Sequence, residues 1–466
     1  MTAFVPDRLA AWSGGSWTTP PAAPITGFAH DTRALQPGQL FVAVKSERRD
    51  GHDFLAAAAA AGAAGALVAR EAPECALPQL VVADPLAAFH AIAHAHRRAF
   101  AGPVIGISGS AGKTSTKDLC ARLLGGPPVV LATEGNLNNQ LGVPLTLTRI
   151  DPAVHRFAVV EAGISLPGEM EPLARMIEPD LAIVTLVAPA HLQELGDLDG
   201  VAGEKARLPA AVRVAGVALF PRSCEAFGAF RDLTVRRMVV EPAEVLRPAA
   251  PPKDRVFFAV TQRDEATALA IAYGSPPPLH FTLRRVSAGM AQNAVLAICA
   301  ALWLGVPPPL IQERLAGWQP ARWRGEVRRE DGRLVYVDCY NANPASMADA
   351  LEAFDSLAPA GQARAYVLGC MEELGPQAAE YHRHLGRTLP LRPDDRLFII
   401  GDQAAALRAG LLEHGHAAGQ IEIIAEAAAA RPFLAGFRGA VFLKGSRRHH
   451  LEQALAAEAA PEGRAC

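Results

Sequence analysis

The sequence is short of net charge, of cysteine pairs and of long apolar runs, and each shortage removes a class of protein. Its 466 residues carry 45 lysines and arginines against 47 aspartates and glutamates, a formal charge of −2. No field of one sign is available to draw in nucleic acid or an anionic membrane, so small solutes are the expected partners. The seven cysteines, at 75, 120, 224, 299, 339, 370 and 466, show no paired spacing. An odd count of that kind suits a reducing compartment better than a disulfide framework, and a cytoplasmic protein is expected. The most apolar long stretch, AAAAAAGAAGALVA from Ala56, is mostly alanine, shorter than a membrane span and bracketed by Asp53 and Arg70. It reads as a packed helix leading to a strand. The start, MTAFVPDRLAAWSGG, lacks the basic and apolar regions of a secretion signal. Neither an internal repeat nor a low-complexity tract stands out. Half of the residues are hydrophobic and a fifth are charged, as in globular enzymes, and the length suits about three domains.

What is present is organised around residues 103–125, PVIGISGSAGKTSTKDLCARLLG. Val104, Ile105 and Ile107 read as a buried parallel strand. Thr114 to Leu124 places Leu119, Cys120, Leu123 and Leu124 on one helix face, and Gly125-Gly126-Pro127-Pro128 stops it. Between strand and helix, Gly109 and Gly112 let backbone N–H groups turn inward on a phosphate at the helix N-terminus, and Lys113 adds a mobile positive charge. Thr114 can bring a hydroxyl to Mg²⁺. The eight-residue phosphate-loop pattern would have glycine where Ile107 stands, and the glycine lies one residue earlier, at Gly106. The shorter form, Gly109-Ser110-Ala111-Gly112-Lys113-Thr114, is complete. A plain strand-to-helix turn would not need Lys-Thr after its last glycine.

Two loops ahead of this stretch are polar and glycine-marked. Asp31-Thr32-Arg33 precedes a Pro37-Gly38 turn and a strand from Leu40 to Val44, and Arg49-Asp50-Gly51-His52 follows it. An arginine-bearing loop suits a diphosphate or a carboxylate, although ordinary surface turns account for both loops equally well. Pro85 to Phe100 reads as a helix with His90 and His94 on one face. That spacing permits metal binding, but no carboxylate partner is evident and a plain helix is expected. Ala-Gly-Pro at 101–103 marks a first domain boundary.

Beyond the phosphate loop, the segment from Thr133 to Pro144 crowds Asn136, Asn138 and Asn139 with two glycines, offering amide donors and acceptors to a polar ligand. Phe157 to Val160 reads as a buried strand with Glu161 at its C-terminal end, where a carboxylate can hold Mg²⁺. The strand Leu181 to Val187 brings His191 to the same edge. A lone histidine is usually structural, yet this one shares an edge with Glu161 and the phosphate loop. Residues 198–211 read as a helix in which Lys205 would ordinarily be a solvated charge. Ser287 to Leu304 forms another helix, with Asn293 near its start, and a second boundary falls near Trp318-Gln319-Pro320. Strands at Leu334 to Val337, Ala365 to Leu368, Leu397 to Ile400 and Ala440 to Leu443 then alternate with helices, a third, nucleotide-fold-like α/β layer. Each ends in polar or glycine-rich chemistry: Asp338 to Pro344, Gly369 to Gly375, Gly401-Asp402, and Lys444 to Arg447. Four such ends on one edge imply a cleft wall.

Three segments together resemble the Mur ligases, the ATP-dependent amide-forming enzymes of peptidoglycan synthesis: the Gly-Ser-x-Gly-Lys-Thr loop, TEGNLNNQLGVPLTL from Thr133, and DCYNANPASM from Asp338. Met371 to Gly375 and KGSR at Lys444 add to the likeness, which runs through nearly the whole chain. The resemblance implies an α/β protein of three domains: residues 1–101 receiving the UDP-sugar, a central P-loop-type mononucleotide-binding domain over 102–319, and a Rossmann-like domain over 320–466 for the amino substrate. It implies a ligase that joins D-alanyl-D-alanine to UDP-N-acetylmuramoyl-tripeptide through an acyl phosphate, with ATP and Mg²⁺. A monomer without a membrane span is expected.

The same resemblance distributes roles. Gly109, Ser110, Ala111, Gly112, Lys113, Thr114 and Ser115 would hold the ATP phosphates, and Asn293, Arg324 and Asp338 would contact the adenosine and its phosphates, with Arg322 competing for the role of Arg324. Thr114 and Glu161 would bind one Mg²⁺; His191 and a carbamylated Lys205 would serve a second, so that Lys113, Glu161, His191 and Lys205 form the catalytic group. Asp31, Thr32, Arg33, Asp50, Gly51 and His52 match the part that receives the UDP-sugar, and Asn138, Asn139, Tyr340, Asn341 and Asn343 are further candidate substrate contacts. Three positions depart from the family's habit. Cys370 stands where aspartate is usual, Met290 replaces a frequent histidine, and only Asp338 remains of a common Asp-Asp pair. Rival readings are another Mur-type or a folate-type amide ligase, a P-loop ATPase without acyl transfer, and a non-catalytic binder of nucleotide sugars.

Overall fold

The computed structural model describes residues 3–246, 252–274, 277–330 and 332–455, which leaves Cys466 outside the described residues. Helices and strands alternate along the chain and build three separate sheets. The first has five strands in the order Ser16–Trp17, Gln79–Val81, Gly65–Val68, Leu40–Val42, Phe28–Ala29, parallel except for the Ser16–Trp17 edge. Where one helix and one strand were expected between Ala56 and Val82, the chain makes a helix, Leu55–Ala60, and two strands. The second strand is three residues long and opens with a polar side chain, so hydropathy hides it. Gln79 is buried because its amide is satisfied on the spot, donating to Ala72 O at 2.9 Å and accepting from Ala72 N at 2.8 Å.

The second sheet has nine strands, and the phosphate-loop strand Val104–Ser108 lies inside it between Leu181–Val184 and Phe157–Glu161. All five of its residues are buried, as expected of a parallel strand covered on both faces. Its register sets Ile107 opposite both Glu161 and Ile183, so three strands end side by side. One face is covered by the helices Lys113–Leu123 and Ala288–Trp303, whose Leu119, Cys120, Ala294, Val295 and Ile298 share one core. The strand expected to reach Val187 stops at Val184. The chain beyond it turns to hydrogen-bond the phosphate loop instead: Ser110 N donates to Leu186 O at 2.8 Å, and Ala188 N donates to Ser110 Oγ at 3.0 Å.

The third sheet runs Glu326–Glu330, Arg333–Asp338, Ala440–Lys444, Arg364–Gly369, Arg396–Ile400, Ile421–Ile423, parallel after its antiparallel first pair. This order puts Asp338 beside Lys444, in direct register. No helix among the described residues is long and apolar enough to cross a membrane.

Candidate active site

The phosphate loop takes the shape its glycines allow. Gly109 and Gly112 have φ of 143° and 79°, left-handed values that favour glycine, and the side-chain amide of Asn293 occupies the space a Cβ on Gly112 would need. Gly112 caps the helix Lys113–Leu123, whose first N–H groups have no partner within the helix and face the loop's concavity. Lys113 Nζ donates to Gly109 O at 2.7 Å, which folds the side chain back over the loop. Its pKa is lowered by burial, a shift that the Glu161 carboxylate opposes and the Arg324 guanidinium reinforces.

Glu161 is buried, and both of its oxygens accept: Thr114 Oγ1 donates to Oε2 at 2.9 Å and Asn138 Nδ2 donates to Oε1 at 2.8 Å. Its own N–H donates to Thr133 Oγ1 at 2.9 Å, and Lys117 Nζ donates to Thr133 O at 2.8 Å. The Thr133–Pro144 segment is therefore tied to the phosphate loop by its polar residues. Asn139 has a different duty, accepting from Leu141 N and Gly142 N to start the helix Gly142–Thr148.

These groups line a cavity of about 270 Å³ between the second and third sheets. Ser110 to Ser115, Asn138, Glu161 and Asn293 come from one side, and Arg324, Asp338, Tyr340, Asn341, Asn343 and Lys444 from the other. Arg324 lies over the Tyr340 ring at 3.8 Å, whereas Arg322 stacks on Trp323 at 4.7 Å and does not line the cavity; the structure thus separates the two arginines. Lys444, which the sequence had offered only as part of a motif, is almost fully buried, and its Nζ donates to Asp338 Oδ2 at 2.6 Å and Asn341 O at 3.2 Å. Asn343 spends its side chain twice. Its Oδ1 accepts from Ser346 N, capping the helix Pro344–Leu357, and its Nδ2 donates to Ser110 O at 3.0 Å.

Of the four strand ends expected to form one wall, only those after Asp338 and at Lys444 reach this cavity. They belong to neighbouring strands, while Arg364–Gly369 and Arg396–Ile400 lie further along the sheet. Cys370 is buried with Gly401 and His449 against it, and burial pushes its thiol pKa up to about 12. Met290 lines the cavity as an apolar surface.

His191 and Lys205 do not line it either. His191 has φ of 55° and places Nδ1 against the Glu373 carboxylate of the third layer. Lys205, expected to be a solvated charge, is instead 1% exposed on the helix Leu198–Ala210. Burial, reinforced by the positive charge of Lys113, holds its pKa well below the usual lysine value. No group of three or more His, Cys, Asp or Glu residues is arranged for a metal among the described residues. His90 and His94 have separate partners, Gln140 O at 2.7 Å and Glu178 Oε2 at 3.1 Å, and this carboxylate is the one the sequence had not revealed.

The Asp31 and Asp50 loops sit on the first sheet. Asp31 pairs with the exposed Arg33, whose guanidinium holds its carboxyl below the usual range. Thr32 lies between them, half-buried. Asp50 accepts from His52 N at 3.0 Å and meets His52 Nδ1 at 2.6 Å, while Ala69 N donates to His52 Nε2 at 3.1 Å. Gly51 packs against the backbone of Ala43, so this loop is pinned to the sheet.

A glycine-rich phosphate loop at the end of a central parallel strand, faced by the strand ends of a second α/β layer, defines a nucleotide-dependent α/β enzyme with a split site. The comparisons with known proteins narrow this class. The Mur ligase middle domain matches residues 107–301, and the Mur ligase glutamate ligase domain matches residues 323–447. The UDP-N-acetylmuramoyl-tripeptide–D-alanyl-D-alanine ligase of Bacillus subtilis is 31% identical over 404 residues, covering 84% of this chain and 83% of its own length. The ligase of the same name from Escherichia coli is 32% identical over 391 residues, covering 82% and 83%. A crystal structure of MurF from Acinetobacter baumannii superposes with a TM-score of 0.86 at 28% identity, over 97% of this chain and 98% of that one. The chain belongs to the Mur ligase family.

Proposed function

We infer that the protein is an ATP-dependent ligase that joins D-alanyl-D-alanine to UDP-N-acetylmuramoyl-tripeptide in the synthesis of peptidoglycan precursors. The observation that carries this reading is the cavity in which Lys113, from the phosphate loop, meets Arg324 and Lys444 from the third layer. Lys113 at a helix N-terminus, faced by Arg324, suits a triphosphate, while Lys444 is already paired with Asp338. A carboxylate is a poor acylating agent at neutral pH, so its oxygen first takes the γ-phosphoryl group and ADP leaves. The amine then attacks the acyl carbon, phosphate departs and the amine proton is lost. Phosphoryl transfer requires positioning and charge neutralisation rather than a covalent protein group. Lys113 and Arg324 supply positive charge, and although burial lowers the Lys113 pKa, the low-dielectric setting strengthens the pull of that charge on a phosphate.

The paired oxygens of Thr114 and Glu161 are hard donors beside the phosphate loop and fit Mg²⁺. Bound there, the ion would neutralise charge on the transferring oxygens. His191 fits a second ion only if Lys205 becomes a carbamate, since an ammonium would oppose it. We further propose the domain division 1–101, 102–319 and 320–466, with the Asp31 and Asp50 loops toward the UDP-sugar and Tyr340 and Asn341 toward the peptide substrates, in a cytoplasmic monomer.

The test is phosphate release from ATP in the presence of UDP-linked muramyl tripeptide, with and without D-alanyl-D-alanine, and mass spectrometry of the product. A UDP-muramyl pentapeptide is expected. Preferential addition of glutamate or of a single third amino acid would overturn the assignment.

A further inference from the structure

The mechanism leaves one cross-layer contact unused, between a largely covered histidine and a half-exposed glutamate. His191 and Glu373 lie 182 positions apart in the chain by their numbers, one after the central strand Leu181–Val184 and the other after the third-layer strand Arg364–Gly369. Both are non-glycine residues in the left-handed region, with φ of 55° and 61°. Such backbones cost on the order of 1 kcal/mol or more and persist where the surroundings over-determine them. Here the two meet. Nδ1 of His191 is buried and lies against Oε2 of Glu373, and no group of the described residues gives it a regular hydrogen bond.

The backbones dock around this contact. Gln193 N donates to Glu373 O at 3.3 Å, and Gly375 lies so close to Leu192 and Gln193 that a Cβ there would sit 3.1 Å from Gln193. Tyr381 packs against the cores of both layers. From the other side, His191 ends the segment 185–191 that holds the phosphate loop: Leu186 O and Ala188 bind Ser110, and Thr185 and Leu186 line the cavity. The chain therefore leads directly from the Glu373 contact at His191 into the segment whose Leu186 and Ala188 hold Ser110.

We propose that Glu373 is a positioning residue of the ligase reaction. It fixes His191 from the opposite layer and so sets the 185–191 segment and the phosphate loop in working geometry only when the two layers are docked. The contact also sets the face of the ring that bears Nδ1 toward the carboxylate. A purely structural carboxylate on this loop would stabilise the fold without changing turnover once folded. A positioning carboxylate changes turnover, because small misplacements of reacting groups are costly in rate. This rests on the ligase reading above.

The experiment compares Glu373→Ala and Glu373→Gln with the wild type in the phosphate-release and pentapeptide assays. Small-angle scattering with and without a non-hydrolysable ATP analogue supplies a readout independent of activity. Glu373→Ala should lower kcat by about ten- to a hundredfold with the KM for ATP within about twofold. It should also scatter as a more extended particle with the analogue than the wild type does. Glu373→Gln keeps a neutral acceptor for Nδ1–H and should recover most of the lost rate. Wild-type kcat in Glu373→Ala, or scattering identical to the wild type with the analogue bound, would overturn the proposal. Failure of the ligase reading itself would appear separately, as a wild-type enzyme that makes no pentapeptide.

Discussion

Lys205 offers the most decisive perturbation, because its environment conflicts with the charge a lysine ordinarily carries. Its side chain is buried on the helix Leu198–Ala210, and among the described residues its amine makes no hydrogen bond or ion pair. Glu204 attracts the ammonium, but burial and Lys113 both oppose it, and the balance lowers the pKa well below the normal value. A neutral amine is a nucleophile toward carbon dioxide, and a carbamate would turn the like-charge contact with Lys113 into an attraction. Lys205→Met keeps the apolar stem and removes the amine. Stability should then change by no more than about 1 kcal/mol, since a buried amine with no hydrogen-bond partner contributes little to the fold. Turnover should fall on the order of a hundredfold, the usual loss when a preorganised charge is removed from a phosphoryl-transfer site. Lys205→Ala leaves room for a small carboxylic acid, so formate or acetate should restore part of its rate. Labelled bicarbonate should give the wild type a carbamate carbon resonance that Lys205→Met lacks. Wild-type kcat in a folded Lys205→Met, together with no such resonance in the wild type, would refute the reasoning and leave Lys205 a merely buried lysine.

Lys113→Ala should lower kcat by about a hundredfold or more while the protein stays folded, because the group acts on charge that develops during transfer; steady-state phosphate release checks this. Glu161→Gln presents an NH₂ group where Thr114 Oγ1 or Asn138 Nδ2 now donates, so one donor loses its acceptor. Activity should drop, and the dependence of rate on Mg²⁺ concentration should move to higher concentrations, as read from a magnesium titration. Stability should fall as pH is lowered through the histidine range, measured by denaturant unfolding. His382 is fully buried as a neutral ring that donates from Nδ1 to Ala378 O at 2.7 Å and accepts from Met371 N at 2.9 Å, and burial lowers its pKa. The unfolded chain takes up a proton near pH 6.5 that the folded one refuses, so the contribution is present above that pH and is lost below it, at up to about 1.4 kcal/mol per pH unit. His382→Gln should flatten this slope; an unchanged slope would remove His382 as its source.

The parts of the site that could be read from the sequence are those whose chemistry is contiguous. The strand, turn and helix from Val104 to Leu123 follow from apolar spacing and glycine placement within some twenty residues, and Glu161 follows from its place at a strand end. Contacts between distant segments left no local trace. Lys205 reads as a polar helix residue until the surrounding core closes over it. Asn343 reads as a loop amide, yet it bonds Ser110 across 233 positions. The edge strand Glu326–Glu330, EVRRE, is too charged to suggest a strand and exists because it pairs with Arg333–Asp338, a tertiary override of propensity.

The three departures from the family's habit fall in different surroundings, and those surroundings account for two of them. Cys370 lies away from the cavity with Glu372 and Asp402 nearby, and both carboxylates disfavour a charged thiol there. A third carboxylate at this buried point would add like charge, whereas a neutral thiol adds none. Asp338 stands alone opposite Lys444, and the pair is complete at one charge each: the ammonium is almost fully buried and donates to Asp338 and to Asn341 O. A second carboxylate in the same place would need a further cation or would titrate upward, as Asp349 does, whose pKa is raised mainly by burial and further by the charge of Asp338. The single aspartate therefore matches the single buried lysine brought to it by the neighbouring strand. With Lys444 so committed, Lys113 and Arg324, the latter over the Tyr340 ring, remain among the cations lining the cavity, beside Arg284 and Arg285.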